Sequence, residues 1–266
     1  MIELNYQLPI FNIKVKTLGE AWIKTLYKVW KYGKFMPNHY EEVPSKEATV
    51  IVNVIDPLSE PKIHRADAYA LKCCKLDGGS YIKEILEGTL DSKVDDGHLS
   101  YTYHRRLWSW GKSVPKHNEI FKKFGIPFCE FEDGIDQIQY LIEKAKEEPI
   151  SRKLQVTTWI PWKDLKISGA PCLQRLWFRI VDNKFLILET MWRSRDLFKA
   201  WGSNAVVMVS LGELIANELG LKLVQYVDFS NSLHIYGSDF DQVNNIFYIL
   251  RKRNNENFEK MLLETS

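Results

Sequence analysis

The chain has 266 residues, with 36 basic against 34 acidic side chains, a formal charge of +2, four cysteines and nine tryptophans. A hydrophobic fraction of 45% and a charged fraction of 26% exclude a disordered or fibrous chain. The near balance of charge gives no electrostatic reason to expect a nucleic acid, and no apolar run approaches the ~20 residues that span a bilayer.

In chain order, Met1-Ile2-Glu3-Leu4-Asn5 lacks the basic and apolar regions of a secretory signal, so a cytoplasmic protein is expected. Thr17 to Tyr32 repeats Leu18, Trp22, Leu26 and Val29 or Trp30 at helical spacing, with Gly33 placed as terminator. The β-branched run Ala48 to Ile55 stops at Asp56-Pro57 and predicts a strand. Residues 75 to 130 are rich in glycine, aromatics and histidine and predict a long loop with short helices. Such a loop is more often specialised than idle. Ile135, Ile138, Leu141, Ile142 and Ala145 then mark an amphipathic helix ending before Pro149.

Leu154 to Ile160 predicts a strand. Cys172 to Val181 and Phe185 to Trp192 are apolar runs joined by Asp182-Asn183-Lys184, a hairpin signal. Asn204 to Leu219 is apolar nearly all round and ends at Gly220, which predicts a buried helix. Leu221 to Tyr236 predicts a further strand, and Asp239 to Leu262 a polar, exposed closing helix. Strands and helices mix without regular βαβ alternation, so the fold class is α+β. The expected architecture is one domain over residues 1–266, a mixed sheet with a buried central helix and flanking helices.

Cys73, Cys74, Cys129 and Cys172 show no C-x-x-C spacing and no disulfide framework. Each is then a small buried hydrophobe or a reactive thiol. Cys172 follows Ala170-Pro171 at the start of a predicted strand, and Arg193-Ser194-Arg195-Asp196 ends its hairpin partner. The hairpin returns Arg193 beside Cys172, where a guanidinium favours the nucleophilic thiolate. Taken singly, these residues have plainer readings. Arg193 and Asp196 read as a surface ion pair, His234 as a core histidine and Asn204 as a helix N-cap. Arg105-Arg106 and Arg251-Lys252-Arg253 read as solvated faces, and Cys73-Cys74 with His64 as buried groups rather than metal ligands. Trp108 and Trp110 read equally as core or as lining of a ligand site.

The ordered set resembles the thymidylate synthase family. Ser151-Arg152-Lys153 followed by Thr157-Thr158-Trp159 resembles that family's paired-basic segment, and Ala170-Pro171-Cys172 its nucleophile motif. Trp192-Arg193-Ser194-Arg195-Asp196-Leu197-Phe198 resembles Q-R-S-x-D-x-F, with Asn204 at the matching distance beyond. His234-Ile235-Tyr236, then Asp239 and Asp241-Gln242, resembles H-x-Y with its trailing D-Q. Leu99 to Leu107 resembles the Y-T-Y-x-x-R-L segment of the archaeal branch. The match is concentrated in residues 134–242, the motif-bearing core, and residues 1–130 are divergent.

The resemblance implies a methyltransferase that methylates C5 of deoxyuridine monophosphate (dUMP), with Cys172 adding to C6 of the uracil ring. It implies 5,10-methylenetetrahydrofolate or a related reduced pterin, such as a methanopterin, as one-carbon donor, and no metal. Arg193 would lower the thiol pKa and bind the nucleotide phosphate, with Ser194 donating a further hydrogen bond. Arg152 and Lys153 would reach that phosphate from the partner subunit of a homodimer with shared sites. Lys153, where the family usually has arginine, keeps the charge and loses the bidentate fork. Asn204 would read O4 and N3–H of uracil, and His234 and Tyr236 would hold the sugar hydroxyl. Asp196 would bind the pterin, and Tyr103 would assist proton transfer near C5.

The departures from the pattern are Leu173 in place of histidine, and Ala200 and Gly202 in place of glycine and proline. Glu84 and Glu87 are the candidates for the family's glutamate, and Arg65 for its amino-terminal phosphate loop. The chain ends Leu262-Leu263-Glu264-Thr265-Ser266 without an apolar tail, which points toward a modified pterin. Two alternatives stay open: a pyrimidine nucleotide hydroxymethylase, and a nucleotide-binding paralogue without catalysis.

Overall fold

The computed structural model describes residues 7–76, 78–114, 119, 122–123, 125, 131–254 and 262. Strand β1 (Ile10–Val15) has no counterpart among the sequence expectations. Helix α1 (Leu18–Tyr32) lies where the spacing predicts it. The hydroxyl of Thr17 accepts from the N–H of Glu20 at 3.3 Å, closing the first turn, and Leu18, Trp22, Leu26 and Val29 form the buried stripe. Strand β2 (Lys34–Met36) follows, then β3 (Ser45–Val54), whose Ala48, Val50, Val52 and Val54 are all fully buried.

A helical excursion comes next: α2 (Ala68–Ala70) running into a π-helical turn at Leu71–Leu76, then α3 (Ser80–Leu86), α4 (Asp91–Asp95) and α5 (Tyr103–Trp108). Helices α3, α4 and α5 are short helices of the kind expected of residues 75–130, whereas α2 and nearly all of the π-helical turn precede that segment. Cys129 lies outside the described residues. Helix α6 (Gln137–Glu147) is capped by the Asp136 carboxylate, which accepts from the N–H of Gln139 at 2.8 Å. Strand β4 (Gln155–Thr157) is shorter than predicted, because Pro161 opens helix α7 (Pro161–Asp164). Proline suits a first helical turn and cannot donate to a ladder.

Strands β5 (Leu173–Val181) and β6 (Phe185–Asp196) form the predicted hairpin. Asp182 and Asn183 take positive φ of 52° and 50°, the backbone hand that matches strand twist in a tight turn. Helix α8 (Trp201–Glu218) is buried nearly all round, as its composition predicts. Strand β7 (Lys222–Ile235), a 3-10 turn at Gly237–Asp239 and helix α9 (Phe240–Asn254) complete the described elements. The polar closing helix needs a correction: Val243, Phe247 and Leu250 are buried, and α9 packs on α1 through edge contacts such as Phe240 on Trp30.

One seven-stranded mixed sheet, ordered β1-β3-β7-β6-β5-β4 with β2 also paired to β3, takes strands from both the divergent and the motif-bearing parts. The β1–β3 and β6–β7 pairs are parallel, and the remaining pairs antiparallel. Helices α1 and α8 pack on one face and make the core with it. On the other face Ile51, Trp177, Ile187, Met191, Val227 and Phe229 are only half-buried.

Candidate active site

The β5–β6 hairpin sets the first contacts. The backbone N–H of Arg193 donates to the carbonyl of Cys172 at 2.9 Å. Its guanidinium turns back on the preceding loop, Nε donating to the Pro171 carbonyl at 2.9 Å and Nη2 to that of Ala170 at 2.6 Å. The ring of Trp159 lies 6.0 Å from that guanidinium. From the other side Tyr103, at the start of α5, offers its phenol oxygen to two backbone N–H groups. Cys172 donates at 3.2 Å and Leu173 at 3.1 Å. The cysteine backbone is thus held by the Arg193 N–H and the Tyr103 phenol, and the loop just before it by the Arg193 guanidinium.

Cys172 is half-buried. Burial pushes its thiol up, and the charges of Arg193 and Arg195 pull it back down without overcoming burial. Arg193 therefore acts in the expected direction, but the net shift is upward and the thiol form is favoured before a ligand binds. Behind the loop, Arg195 pairs with the fully buried Asp228. That carboxylate also accepts from the Trp201 indole at 3.1 Å and the Tyr226 phenol at 2.7 Å, while the Trp192 ring lies 4.1 Å from the Arg195 guanidinium.

Asn204 is the fourth residue of α8, not its cap. The cap position is Ala200, without a side-chain bond, so the N-cap reading is corrected. The Asn204 side chain is buried, and its Oδ1 accepts from the Tyr81 hydroxyl of α3 at 2.6 Å. Tyr81 is not among the residues that sequence reasoning singles out; only the aromatic richness of the excursion hints at it. Gly202 has a local reason as well. A Cβ there would lie 1.9 Å from Oδ2 of Asp67, a buried carboxyl that burial pushes up to about 7.

At the ends of β6 and β7, Asp196 and His234 are register partners, as are Ser194 and Ser232. Asp196 does not pair with Arg193. Its Oδ1 accepts from the N–H groups of Phe198 and Lys199, both at 2.9 Å, and burial pushes its carboxyl up to about 6. Lys199 pairs instead with Asp239 at 2.7 Å. His234 is 7% exposed, and burial pulls its imidazole down to about 4, so the ring is neutral. Its Nε2 is buried with no partner among the described residues. Tyr236 sits 4.7 Å from that ring, ring centre to ring centre. Burial, with Asp196, Tyr40 and Cys172 nearby, pushes its phenol up to about 12.

Arg152 and Lys153 are exposed where the chain approaches β4, tied by the Arg152 carbonyl, which accepts from Trp177 at 3.1 Å. Among the described residues no bond links their side chains to the Cys172 loop. Arg106 is no solvated side chain: 4% exposed, it forms a bidentate pair with Asp164 at 2.7 and 2.8 Å. Arg105 pairs with Asp95, whereas Arg251, Lys252 and Arg253 are exposed. Glu84 is half-buried, and burial pushes its carboxyl up; Glu87 and Arg65 are exposed. Trp110 packs edge-on to Trp162. Trp108 lines a cavity of about 740 Å³ with Asp136, Ile142, Glu213 and Leu214, away from the Cys172 cluster.

Among the described residues no group of three or more His, Cys, Asp or Glu side chains could hold a metal ion. No described helix is long and apolar enough to cross a membrane. A family model described as thymidylate synthase matches residues 27–265. Relatives named "Putative thymidylate synthase" include one from Methanocaldococcus jannaschii, 30% identical over 242 residues, covering 88% of this chain and 95% of the relative. Another, from Methanosarcina mazei, is 29% identical over 234 residues, covering 88% of this chain and 93% of its own length. A third, from Methanothermobacter marburgensis, is 24% identical over 242 residues, covering 89% of this chain and 97% of its own length. The matched span takes in both the Cys172 loop and the helices that face it, and the chain belongs to the thymidylate synthase family.

Proposed function

We propose that the protein methylates C5 of dUMP through a covalent adduct on Cys172. The observation that carries this reading is the convergence of Arg193 and Tyr103 on the loop that presents one half-buried cysteine: the Arg193 guanidinium on the Ala170 and Pro171 carbonyls, its backbone N–H on the Cys172 carbonyl, and the Tyr103 phenol on the Cys172 N–H. In this reading Cys172 Sγ bonds to C6 of the uracil, and the C5–C6 π pair moves toward O4 and C5. The C5 carbon then bonds to the methylene carbon and loses its proton, and the bond from that carbon to the donor breaks. Hydride from the donor reduces the methylene to methyl, with the donor leaving two electrons more oxidised, and the C6–S bond breaks to return the Cys172 thiolate. Asn204 reads the base edge, Arg193 and Ser194 receive the phosphate, and His234 and Tyr236 hold the sugar. Tyr103, with its phenol kept neutral by burial, assists proton transfer near C5.

A methylene-pterin supplies the one-carbon unit and the reducing hydride. Asp196 fits its polar edge: one carboxylate oxygen is held by two backbone N–H groups, and Oδ2 has no hydrogen bond among the described residues. A folate and a modified pterin such as a methanopterin present the same edge to it.

The proposal includes a homodimer with shared sites. Two features support it. On the half-buried sheet face, Ile51, Met191, Val227 and Phe229 line a cavity of about 330 Å³ together with Arg175 and Glu189, an apolar patch with charges beside it that suits a covering partner. Arg152 and Lys153 are exposed and make no bond to the Cys172 loop of their own chain among the described residues, as cations that serve a partner's phosphate would be.

Tritium release from C5-labelled dUMP with a methylene-pterin tests the reaction. Wild type is expected to release tritium, and Cys172→Ala to lose release by at least a thousandfold while still binding dUMP. No release by wild type with either pterin class overturns the reading.

A further inference from the structure

Resting on that reading and deepening its substrate recognition, we infer that Tyr81 fixes which end of the Asn204 amide faces the base, and so makes the site select uracil over cytosine. Tyr81 is a positioning residue: it touches Asn204, and Asn204 touches the base.

The two bases differ in the pattern that an amide must match. Uracil presents an acceptor at O4 and a donor at N3–H; cytosine presents a donor at its exocyclic amine and an acceptor at N3. A side-chain amide matches either pattern, because a half-turn about its terminal bond exchanges oxygen and nitrogen. Asparagine alone therefore does not settle the choice. What settles it is a neighbour that prefers one end of the amide.

Tyr81 supplies that preference. Its hydroxyl donates to Asn204 Oδ1 at 2.6 Å, across 123 positions of sequence. Among the described residues the Tyr81 hydroxyl has no other hydrogen-bond partner. Burial pushes the phenol up, so it remains an O–H donor at neutral pH. Turning the amide over would bring NH2 against the phenol oxygen and leave the O–H without an acceptor. An unmatched donor inside a protein is costly, so the amide keeps its oxygen on Tyr81. The second lone pair of Oδ1 remains for N3–H of uracil, and Nδ2 for O4.

The helical framework holds both partners in place. Asn204 lies within the buried first turns of α8, and α3 packs against that helix. The Cys74 thiol, in the π-helical turn before α3, contacts the Ser203 carbonyl at 3.8 Å, beside Asn204 in sequence. Leu173 stands where the resemblance would place a histidine and offers no polar group to do the same work.

Calorimetric titration of dUMP and dCMP against wild type, Tyr81→Phe, Asn204→Ala and the double variant tests the assignment. Wild type is expected to prefer dUMP, and Tyr81→Phe to narrow the dUMP-to-dCMP ratio about tenfold, chiefly by binding dCMP more tightly. In the Asn204→Ala background, Tyr81→Phe is expected to change nothing. Tyr81→Leu, which also lacks the donor, is titrated in parallel so that a folding failure of one variant leaves the other to be read. An unchanged ratio in a folded Tyr81 variant that still binds dUMP overturns the assignment and leaves the functional reading standing. An equal change with and without Asn204 overturns it too, because Tyr81 would then act on folding alone. Wild type that binds neither nucleotide overturns the functional reading and this inference together.

Discussion

The sheet and the helical excursion build the candidate site in different ways. Cys172 sits just before β5, while Arg193, Asp196 and His234 ride on β6 and β7, whose long ladders fix each backbone position by its register partners. Tyr81, Tyr103 and Asp67 come from helices of only three to seven residues or from their caps. Helices that short are not stable alone in water. They are held by a few polar ties to other segments: Thr102 and His104 on Asp91, Arg106 on Asp164, and Tyr81 on Asn204. The strand residues of the candidate site are thus fixed by many repeated bonds, and Tyr81 and Tyr103 by a handful of individual ones.

The contrast is sharpest where each part has a buried ion pair. In the sheet, Arg195→Met leaves Asp228 fully buried without its cation, at a cost of about 4 kcal/mol, the usual effect of removing one partner of such a pair. The loss is expected to be global, read as one cooperative urea transition moved to lower denaturant. Arg106→Met leaves Asp164 buried in the same way, with the Ile160 N–H still donating to it; we expect about 3 kcal/mol. Here the change should be local. Hydrogen exchange is expected to speed at α5, which carries Tyr103, and to stay unchanged along β6 and β7. Uniform exchange across both parts in both variants would end the distinction.

Much of the sheet and central helix is readable from local pattern, because it rests on local physics. The stripe of α1, the positive-φ pair at Asp182 and Asn183, and the all-round apolar α8 each follow from neighbours a few positions away. The motif residues Cys172, Arg193, Asp196, Asn204, His234 and Tyr236 are legible through the family resemblance. What escapes depends on partners far apart in sequence. Arg106 looks like a surface cation until Asp164, 58 positions on, closes around it. Asn204 has the composition of a cap, yet helix α8 begins three residues earlier because Trp201 is drawn into the core against Asp228. Tyr81 carries no motif at all; its bond to Asn204 forms only where α3 meets α8. Strand β1 is short, and half its residues face outward, so its alternation is weak.

A third prediction uses acid to probe the strand ends. His234 is held neutral, with its pKa lowered from 6.5 to about 4. The unfolded chain therefore takes up a proton before the folded one does, and stability falls as pH drops from about 6.5 toward 4. At pH 5 the loss from this group is about 2 kcal/mol. His234→Gln should remove that part of the acid sensitivity, measured as the difference between denaturant midpoints at pH 7 and pH 5. An identical difference in wild type and variant would show that the imidazole is not desolvated as described.

The smallest effect we predict sits on the seam between the two parts. In an ordinary helix, Gly202→Ala would stabilise by up to about 1 kcal/mol. Here the added Cβ would press on Asp67 Oδ2, and the carboxyl must swing away from the first turn of α8. The sign reverses, and a net loss of about 1 kcal/mol is expected. The pH dependence identifies the cause. Asp67 has a raised pKa of about 7, so burying it costs most where it is ionised, and wild type gains stability from this group as pH falls from 7 toward 4. A carboxyl pushed toward water gains less. The gap between variant and wild type should therefore widen on acidification, as followed by thermal melts across that range. A gap that stays constant would mean that the added methyl group disturbs helix α8 itself and leaves the tie between excursion and sheet intact.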